Sequence, residues 1–216
     1  MTEAVSVGVL ASGRGSNFES LARAASRGTL GARLACLVSD DASAPALQIA
    51  ARFGIPSCVV DPGSRRGRMS DEAERRVVEI LREQGVRLVC LAGFMRLVGS
   101  RLLEAFPGAI LNVHPSLLPS FPGLEAQRRA LEHGVKVTGC TVHLVDSGVD
   151  SGPIVLQAAL EVREEDTPES LAARILEREH EIYPEAVRLW AAGRLRLEGR
   201  RVRVLPEPVA TRPAAL

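Results

Sequence analysis

Short apolar runs alternate with amphipathic stretches along this chain, a rhythm typical of strands separated by helices. Apolar runs bounded by turn residues predict strands, and apolar residues three and four positions apart predict helices. The pattern predicts strands over residues 5–10, 34–38, 57–60, 88–91, 109–113, 137–145 and 154–162. It predicts helices over residues 18–27, 44–53, 70–84 and 98–105, and a longer one from Pro168 to about residue 192 with Thr167 as N-cap.

The order of these elements predicts the fold class. Strands that alternate with helices form βαβ units, so we expect an α/β fold. It should be a Rossmann-like, mostly parallel twisted sheet with helices on both faces. Near the C-terminus, apolar residues alternate on either side of Glu198-Gly199-Arg200, which predicts a small hairpin.

The composition narrows the choice of partners. The 216 residues are 46% hydrophobic and carry a formal net charge of +1, which is ordinary for one packed domain and gives no electrostatic footprint for nucleic acid or a membrane surface. The four cysteines lie far apart in the chain, which favours core positions in a reducing compartment over a metal site. No apolar stretch is long enough to span a membrane, and no secretory leader is evident, so we expect a cytoplasmic protein.

The loop between the first predicted strand and helix is rich in small residues: Ser12-Gly13-Arg14-Gly15-Ser16-Asn17. Glycine allows a tight turn and close backbone approach, and the free N–H groups at a helix start attract anions. The loop therefore predicts a site for a phosphate monoester. A simple turn capped by Ser16 or Asn17 is the alternative. A dinucleotide cofactor is disfavoured because Phe18 stands where its fingerprint needs a third glycine.

Two later segments carry candidate chemistry. In the run from residue 110 to 114, strand alternation places Asn112 and His114 on one face just before the chain breaks at a proline. Downstream, residues 145–153 contain two aspartates in a loop too rich in Gly and Ser for regular structure. Each segment also has a purely structural interpretation: polar groups that satisfy a strand end, and Asp150 as a turn carboxylate.

Taken together, these motifs resemble the folate-dependent formyltransferases. The residues that carry the resemblance are Asn112-Val113-His114-Pro115-Ser116-Leu117-Leu118-Pro119 and Val145-Asp146-Ser147-Gly148-Val149-Asp150-Ser151-Gly152-Pro153. Within that family the chain is most similar to the enzymes that formylate glycinamide ribonucleotide in purine synthesis. The similarity runs from the Ser12 loop, through Leu91-Ala92-Gly93-Phe94-Met95-Arg96, to Glu179-His180, and so covers almost the whole chain.

The resemblance implies a reaction and roles for three residues. The amine of glycinamide ribonucleotide would attack the formyl carbon of 10-formyltetrahydrofolate, the co-substrate, with no metal or other cofactor required. Asn112 would donate its amide N–H to the developing oxyanion, and His114 would donate from a ring nitrogen. Asp150 would hold His114, raise its pKa by Coulombic attraction, and accept or relay the amine proton.

The resemblance also implies binding residues. Gly15, Ser16 and Asn17 would hold the substrate phosphate, and Glu179 would contact the rest of the ribonucleotide. One departure is Glu125, at a position where relatives often carry a basic or neutral polar residue. The folate-binding residues that the resemblance implies are Arg68, Met95, Arg96, Leu97, Val98, Asn112, Val145 and Asp146.

We expect a single formyltransferase domain over residues 1–216, acting as a monomer or homodimer. Within it we expect a phosphate-binding half at 1–105, a catalytic and folate-binding half at 106–192, and a C-terminal appendage at 193–216. His143, on an alternating strand, is expected to be a core residue or to lie behind the reacting groups.

Three other functions compete with this interpretation. Methionyl-tRNA formyltransferase adds an RNA-binding domain, whereas barely twenty residues follow the last predicted helix here. Formyltetrahydrofolate hydrolase usually carries an N-terminal regulatory domain, whereas this chain begins with its first strand. A non-catalytic phosphate-binding regulator would keep the glycine loop without needing Asn112, His114 and Asp150 together, so their joint presence favours an enzyme.

Overall fold

The fold is built on a seven-stranded sheet, seen in a computed structural model that describes residues 4–63 and 67–207. The strands are β1 (Val5–Ala11), β2 (Ala32–Ser39), β3 (Ser57–Val59), β4 (Leu88–Leu91), β5 (Ile110–His114), β6 (Val137–Leu144) and β7 (Ile154–Glu161), in the order β3-β2-β1-β4-β5-β6-β7. The helices are α1 (Ser16–Ser26), α2 (Ala46–Arg52), α3 (Asp71–Glu83), α4 (Ser100–Ala105), α5 (Ala126–Glu132) and α6 (Pro168–Ala191).

The sheet is mostly parallel, as the sequence predicts. Strands β1 to β5 pair in parallel, while β6 pairs antiparallel with both β5 and β7. The strand order reverses between β1 and β4, and in open α/β sheets the crevice at the carboxyl ends of such strands is the usual ligand site. The loops that follow β1 and β4 therefore line the expected binding crevice.

Helices cover both faces of the sheet. On one face Phe18 of α1 and Val187 of α6 are fully buried in a core cluster with the side chains of β1, β4 and β5. On the other face Val77 and Leu81 of α3 form a second cluster with the opposite side chains of the same strands. Two buried faces explain why these strands read as continuous apolar runs rather than alternating ones.

The long helix α6 begins and packs as its sequence directs. The Thr167 hydroxyl caps it by accepting a hydrogen bond from Ser170 N–H, Thr167 N–H donates in turn to the Ser170 hydroxyl, and Pro168 occupies the first turn. Near its C-terminal half, the fully buried Tyr183 hydroxyl lies 2.9 Å from Leu91 O and 3.1 Å from Leu111 O. Tyr183 therefore ties the helix to β4 and β5 beside the strand ends.

The predicted hairpin is present, as β8 (Leu195–Glu198) and β9 (Arg201–Val204). The predicted strands and helices agree with the observed bounds to within two residues at each end. Of the predicted appendage over 193–216, the segment 208–216 lies outside the described residues. None of the helices in the described ranges is long and apolar enough to cross a membrane.

Candidate active site

Strand β5 presents Asn112 and His114 where its neighbour ends. Asn112 pairs with Leu91, the last residue of β4, so β5 extends past the carboxyl end of that strand. Val113, between the two polar residues, is buried in the core. Strand alternation thus places both candidate side chains on the same face, as the sequence predicts.

Asp150 reaches both of these residues from the loop between β6 and β7. Its Oδ2 lies 3.2 Å from His114 Nδ1 and accepts a hydrogen bond from Gly123 N–H at 2.8 Å. Its Oδ1 accepts from Asn112 Nδ2 at 3.4 Å. Asp150 adopts a left-handed backbone conformation, with φ of 49°, which costs energy in a residue with a Cβ. The structure thus brings the three predicted catalytic residues into one cluster.

His143 completes this cluster from β6. Its Nδ1 lies 2.9 Å from the carbonyl oxygen of Leu144, a contact that requires a proton on Nδ1. Its Nε2 is then free to accept from Asn112 Nδ2, 3.2 Å away, and lies 3.6 Å from Asp150 Oδ1. His143 therefore fixes the orientation of the Asn112 amide, in line with its expected place behind the reacting groups.

Both ring nitrogens of His114 face acceptor oxygens. Opposite the Asp150 contact, Nε2 lies 2.9 Å from the carbonyl oxygen of Phe121, a residue with φ of 53°. Donation on both sides suits a doubly protonated ring. Burial nevertheless lowers the pKa of His114, outweighing Asp150 and the Phe121 carbonyl, which both act to raise it. We expected the carboxylate to raise this pKa; its attraction does so, but desolvation is larger.

Asp150 is held as a carboxylate. Burial opposes its ionisation, but the neighbouring His143 ring, the hydrogen bond from Gly123 N–H and the nearby His114 together bring its pKa below the ordinary value. An ionised Asp150 can accept a proton.

A polar network behind the site shapes the turn after His114, and sequence reasoning missed it. The buried Thr141 hydroxyl donates to Ser116 O at 2.7 Å and accepts from Leu118 N–H at 3.0 Å. Gln157 on β7 donates to the same hydroxyl at 3.0 Å and to Leu118 O at 2.9 Å. Alternation along β6 could have revealed that Thr141 and His143 share a face, but not what they contact.

The glycine loop leads into α1 as predicted. Gly15 is the N-cap residue with φ of 75°, and no side chain caps the first N–H groups of the helix. The alternative of a turn capped by Ser16 or Asn17 is therefore wrong. A Cβ at Gly15 would lie 2.8 Å from the Cβ of Ala46, so close packing as well as backbone conformation requires glycine here.

Asn17 and Glu179 meet beneath this loop. Asn17 Nδ2 donates to Glu179 Oε2 at 2.7 Å, and both residues are more than nine-tenths buried. Asn17 Oδ1 has no hydrogen-bond partner among the described residues. Burial raises the pKa of Glu179, while the Asn17 hydrogen bond acts to lower it. The predicted phosphate loop and the predicted ribonucleotide contact are thus neighbours, although 162 positions separate them.

The segment after β4 borders the same crevice. Met95 and Leu97 expose 64% and 40% of their surface, unusual for apolar residues. Met95 N–H donates to the Ser12 hydroxyl at 2.8 Å, which ties this segment to the glycine loop. Arg68 forms an isolated parallel bridge with Leu97 and so lies beside it.

Arg96 does not point freely into solvent. Its Nε donates to Asp40 Oδ2 at 2.7 Å, and Asp40 is 9% exposed. Asp40 directly follows β2, so the ion pair joins the segments that follow the carboxyl ends of β2 and β4. The sequence offered no signal for this partner.

The remaining predicted folate residues lie at the edge of the second core cluster or in the Asp150 loop. Val98 and Val145 are partly buried against that cluster. Asp146 accepts from Gly148 N–H at 3.1 Å and from the Ser151 hydroxyl at 2.7 Å, so its carboxylate braces its own loop. Among the residues described, no group of three or more His, Cys, Asp or Glu side chains is placed to hold a metal ion.

Comparisons with known proteins match this chain to one family. The model of the formyl transferase family matches residues 5–187. A phosphoribosylglycinamide formyltransferase of Bacillus subtilis is 44% identical over 180 residues, which cover 83% of this chain and 91% of that protein.

Solved structures give the same result. The crystal structure of glycinamide ribonucleotide transformylase 1 from Symbiobacterium toebii superimposes with a TM-score of 0.91 at 53% identity, covering 95% of this chain and 96% of that one. A formyltetrahydrofolate deformylase from Pseudomonas syringae shares the fold, with a TM-score of 0.87 at 23% identity over 95% of this chain and 67% of its own. The family match, spanning most of the chain, shows that this protein belongs to the formyl transferase family.

Proposed function

We propose that this protein transfers the formyl group of 10-formyltetrahydrofolate to the amine of glycinamide ribonucleotide, a step of purine biosynthesis. The products are formylglycinamide ribonucleotide and tetrahydrofolate. The observation that carries the proposal is the cluster of Asn112, His114 and Asp150 beside the crevice at the carboxyl ends of β1 and β4. Relatives with high coverage that bear the name of this activity support it.

The reaction needs a hydrogen-bond donor that stabilises the oxyanion, and Asn112 supplies it. As the amine lone pair attacks the formyl carbon, a C–N bond forms and the formyl oxygen gains negative charge. Asn112 Nδ2 has one hydrogen directed at His143 and the other in a long contact of 3.4 Å to Asp150. The oxyanion would replace the longer contact, while the His143 contact holds the amide in place.

Asp150 and His114 move the protons. Ionised Asp150 takes up the proton of the attacking amine, directly or through a water molecule. His114 donates from Nε2, which would exchange the Phe121 carbonyl for the substrate oxygen. The negative charge that develops on the substrate favours the imidazolium form and so offsets the effect of burial. Collapse of the tetrahedral intermediate then breaks the bond to the folate nitrogen, which receives the proton that Asp150, directly or through water, took from the amine.

The two substrates approach from loops on either side of the cluster. The N–H groups of Gly15, Ser16 and Asn17 would bind the phosphate, with Glu179 next to the ribose. This assigns phosphate binding to residues 1–105 and the reacting groups to 106–192. Folate would lie along the exposed apolar segment after β4 and the Asp150 loop, contacted by Arg68, Met95, Arg96, Leu97, Val98, Asn112, Val145 and Asp146.

We further propose a cytoplasmic enzyme that acts as a monomer or homodimer. Its partners would be the two substrates. Nucleic acid and membranes are not expected partners, because the net charge of +1 provides no attraction to a polyanion.

The test incubates the protein with 10-formyltetrahydrofolate, with and without glycinamide ribonucleotide, while folate absorbance is followed. Deformylation that requires the ribonucleotide, and that Asp150→Asn lowers about 100-fold or more, supports the transferase. Asp61→Asn is a matched control, because this turn carboxylate follows β3 at the opposite edge of the sheet. Folate breakdown without the ribonucleotide would favour a hydrolase, and no turnover with intact ribonucleotide binding would favour a regulator.

A further inference from the structure

The C-terminal hairpin reaches the loop that carries Asp150. Arg200, in the turn between β8 and β9, donates from Nη2 to the carbonyl oxygen of Ser151 at 2.6 Å. Ser151 directly follows Asp150 in the chain. The hairpin lies beyond residue 187, where the match to the family ends. A contact from beyond the residues that the family model matches thus touches the neighbour of a proposed catalytic residue.

The hairpin is fixed to the body of the protein at its base and by its packing. Leu195 and Val202, on its two strands, pack against the main core cluster. At its base, Leu205 N–H donates to Arg194 O and Arg194 Nε donates to Leu205 O, both at 2.7 Å. At its tip, Gly199 adopts φ of 60°, which closes the tight turn that carries Arg200. Arg200 therefore extends from a fixed base.

The Asp150 loop is held on two sides. On the side of β5, Asp150 is held by Gly123 N–H and His114. Its left-handed backbone is unfavourable for a residue with a Cβ and persists only if its surroundings hold it. On the other side, Arg200 anchors the peptide that follows Asp150.

We propose that Arg200 is a positioning residue, through which the C-terminal hairpin holds Asp150 in register with His114 and Asn112. The inference rests on the proposed function for its consequence in catalysis, but not for the contact itself. Losing the contact lets the loop leave its strained conformation, so that Asp150 is less often placed to take the amine proton. Because the loop follows β6 and not β1, binding of the ribonucleotide phosphate should be unaffected.

The test compares Arg200→Ala with two other variants of the full chain. We expect Arg200→Ala to lower kcat by about threefold to tenfold, the effect of one charge-assisted hydrogen bond at an exposed position, with the ribonucleotide KM unchanged. Arg200→Lys should recover part of the loss, since an ammonium can also donate to a carbonyl. Arg201→Ala removes the same charge one residue further along and should match the wild type.

Hydrogen exchange supplies a second measurement that does not depend on turnover. Arg200→Ala should speed exchange of the amides of residues 146–152, with the thermal midpoint of the protein unchanged. Unchanged kcat together with unchanged exchange overturns the inference, as does an equal loss in Arg201→Ala. If the wild type shows no formyl transfer but Arg200→Ala still speeds loop exchange, the proposed function fails while the positioning contact stands.

Discussion

Glu179 offers a sharp test of how the buried side chains beneath the phosphate loop support binding. Replacing it with Ala removes the acceptor of the Asn17 amide, whose own oxygen already has no partner among the described residues. Replacing it with Gln keeps an acceptor oxygen and adds an N–H group that can reach the Asn17 oxygen. The two variants therefore separate loss of the hydrogen bond from loss of the charge.

The expected magnitudes follow from burial. A buried hydrogen bond to a charged acceptor contributes about 1.5–3 kcal/mol. The one lost side-chain methylene contributes about 0.8 kcal/mol. We therefore expect Glu179→Ala to lower the free energy of unfolding by about 2–4 kcal/mol, or the thermal midpoint by roughly 10 °C. It should raise the KM for glycinamide ribonucleotide about tenfold, through the loosened loop, and leave the folate KM unchanged.

The Gln variant adds a pH dependence of known sign. Burial raises the pKa of Glu179 above its ordinary value of 4.5. A group of this kind contributes its full stability below the pKa of the unfolded chain and loses that contribution as the pH rises through the folded pKa. Glu179→Gln cannot ionise, so its stability relative to the wild type should increase as the pH rises above the ordinary Glu pKa of 4.5.

Urea unfolding at several pH values, with substrate kinetics near neutral pH, measures all three quantities. Two results would refute the reasoning. One is a Gln variant that loses stability relative to the wild type as the pH rises. The other is an Ala variant with an unchanged ribonucleotide KM, which would mean that the buried pair does not support the loop.

Two further predictions concern the packing that holds the site. A Cβ at Gly99 would lie 2.4 Å from Oε2 of the buried Glu74, whose other oxygen accepts a hydrogen bond from Leu102 N–H. Gly99→Ala should therefore lower the free energy of unfolding in urea by about 1–3 kcal/mol, and an unchanged urea midpoint would contradict this. Tyr183→Phe removes the hydroxyl that contacts the carbonyls of Leu91 and Leu111, and should lower the free energy of unfolding in urea by about 1–2 kcal/mol. A more stable variant would show that these carbonyls do not need the hydroxyl as a partner.

The sequence predicted the elements well because their signals are local. Apolar runs, helical periods and caps such as Thr167 depend only on neighbouring residues, and the elements they predict match the observed bounds to within two residues. The short helix α5 was not predicted. Asn112 and His114 share a face for the same reason. The resemblance to a known family added Asp150 and Glu179 as site residues, which spacing within the chain could not do.

The tertiary structure decided how distant residues pair. Strand order and register, which no local pattern encodes, decide which residues meet. They bring Asn112 to His143, Asn17 to Glu179 and Arg96 to Asp40. The net effect on the pKa of His114 likewise follows from burial, which depends on everything packed around the ring. Local sequence patterns specified the strands, most of the helices and the residue types that carry chemistry. Their contact partners followed only from the packed sheet, because contacts across many residues arise when the whole chain folds.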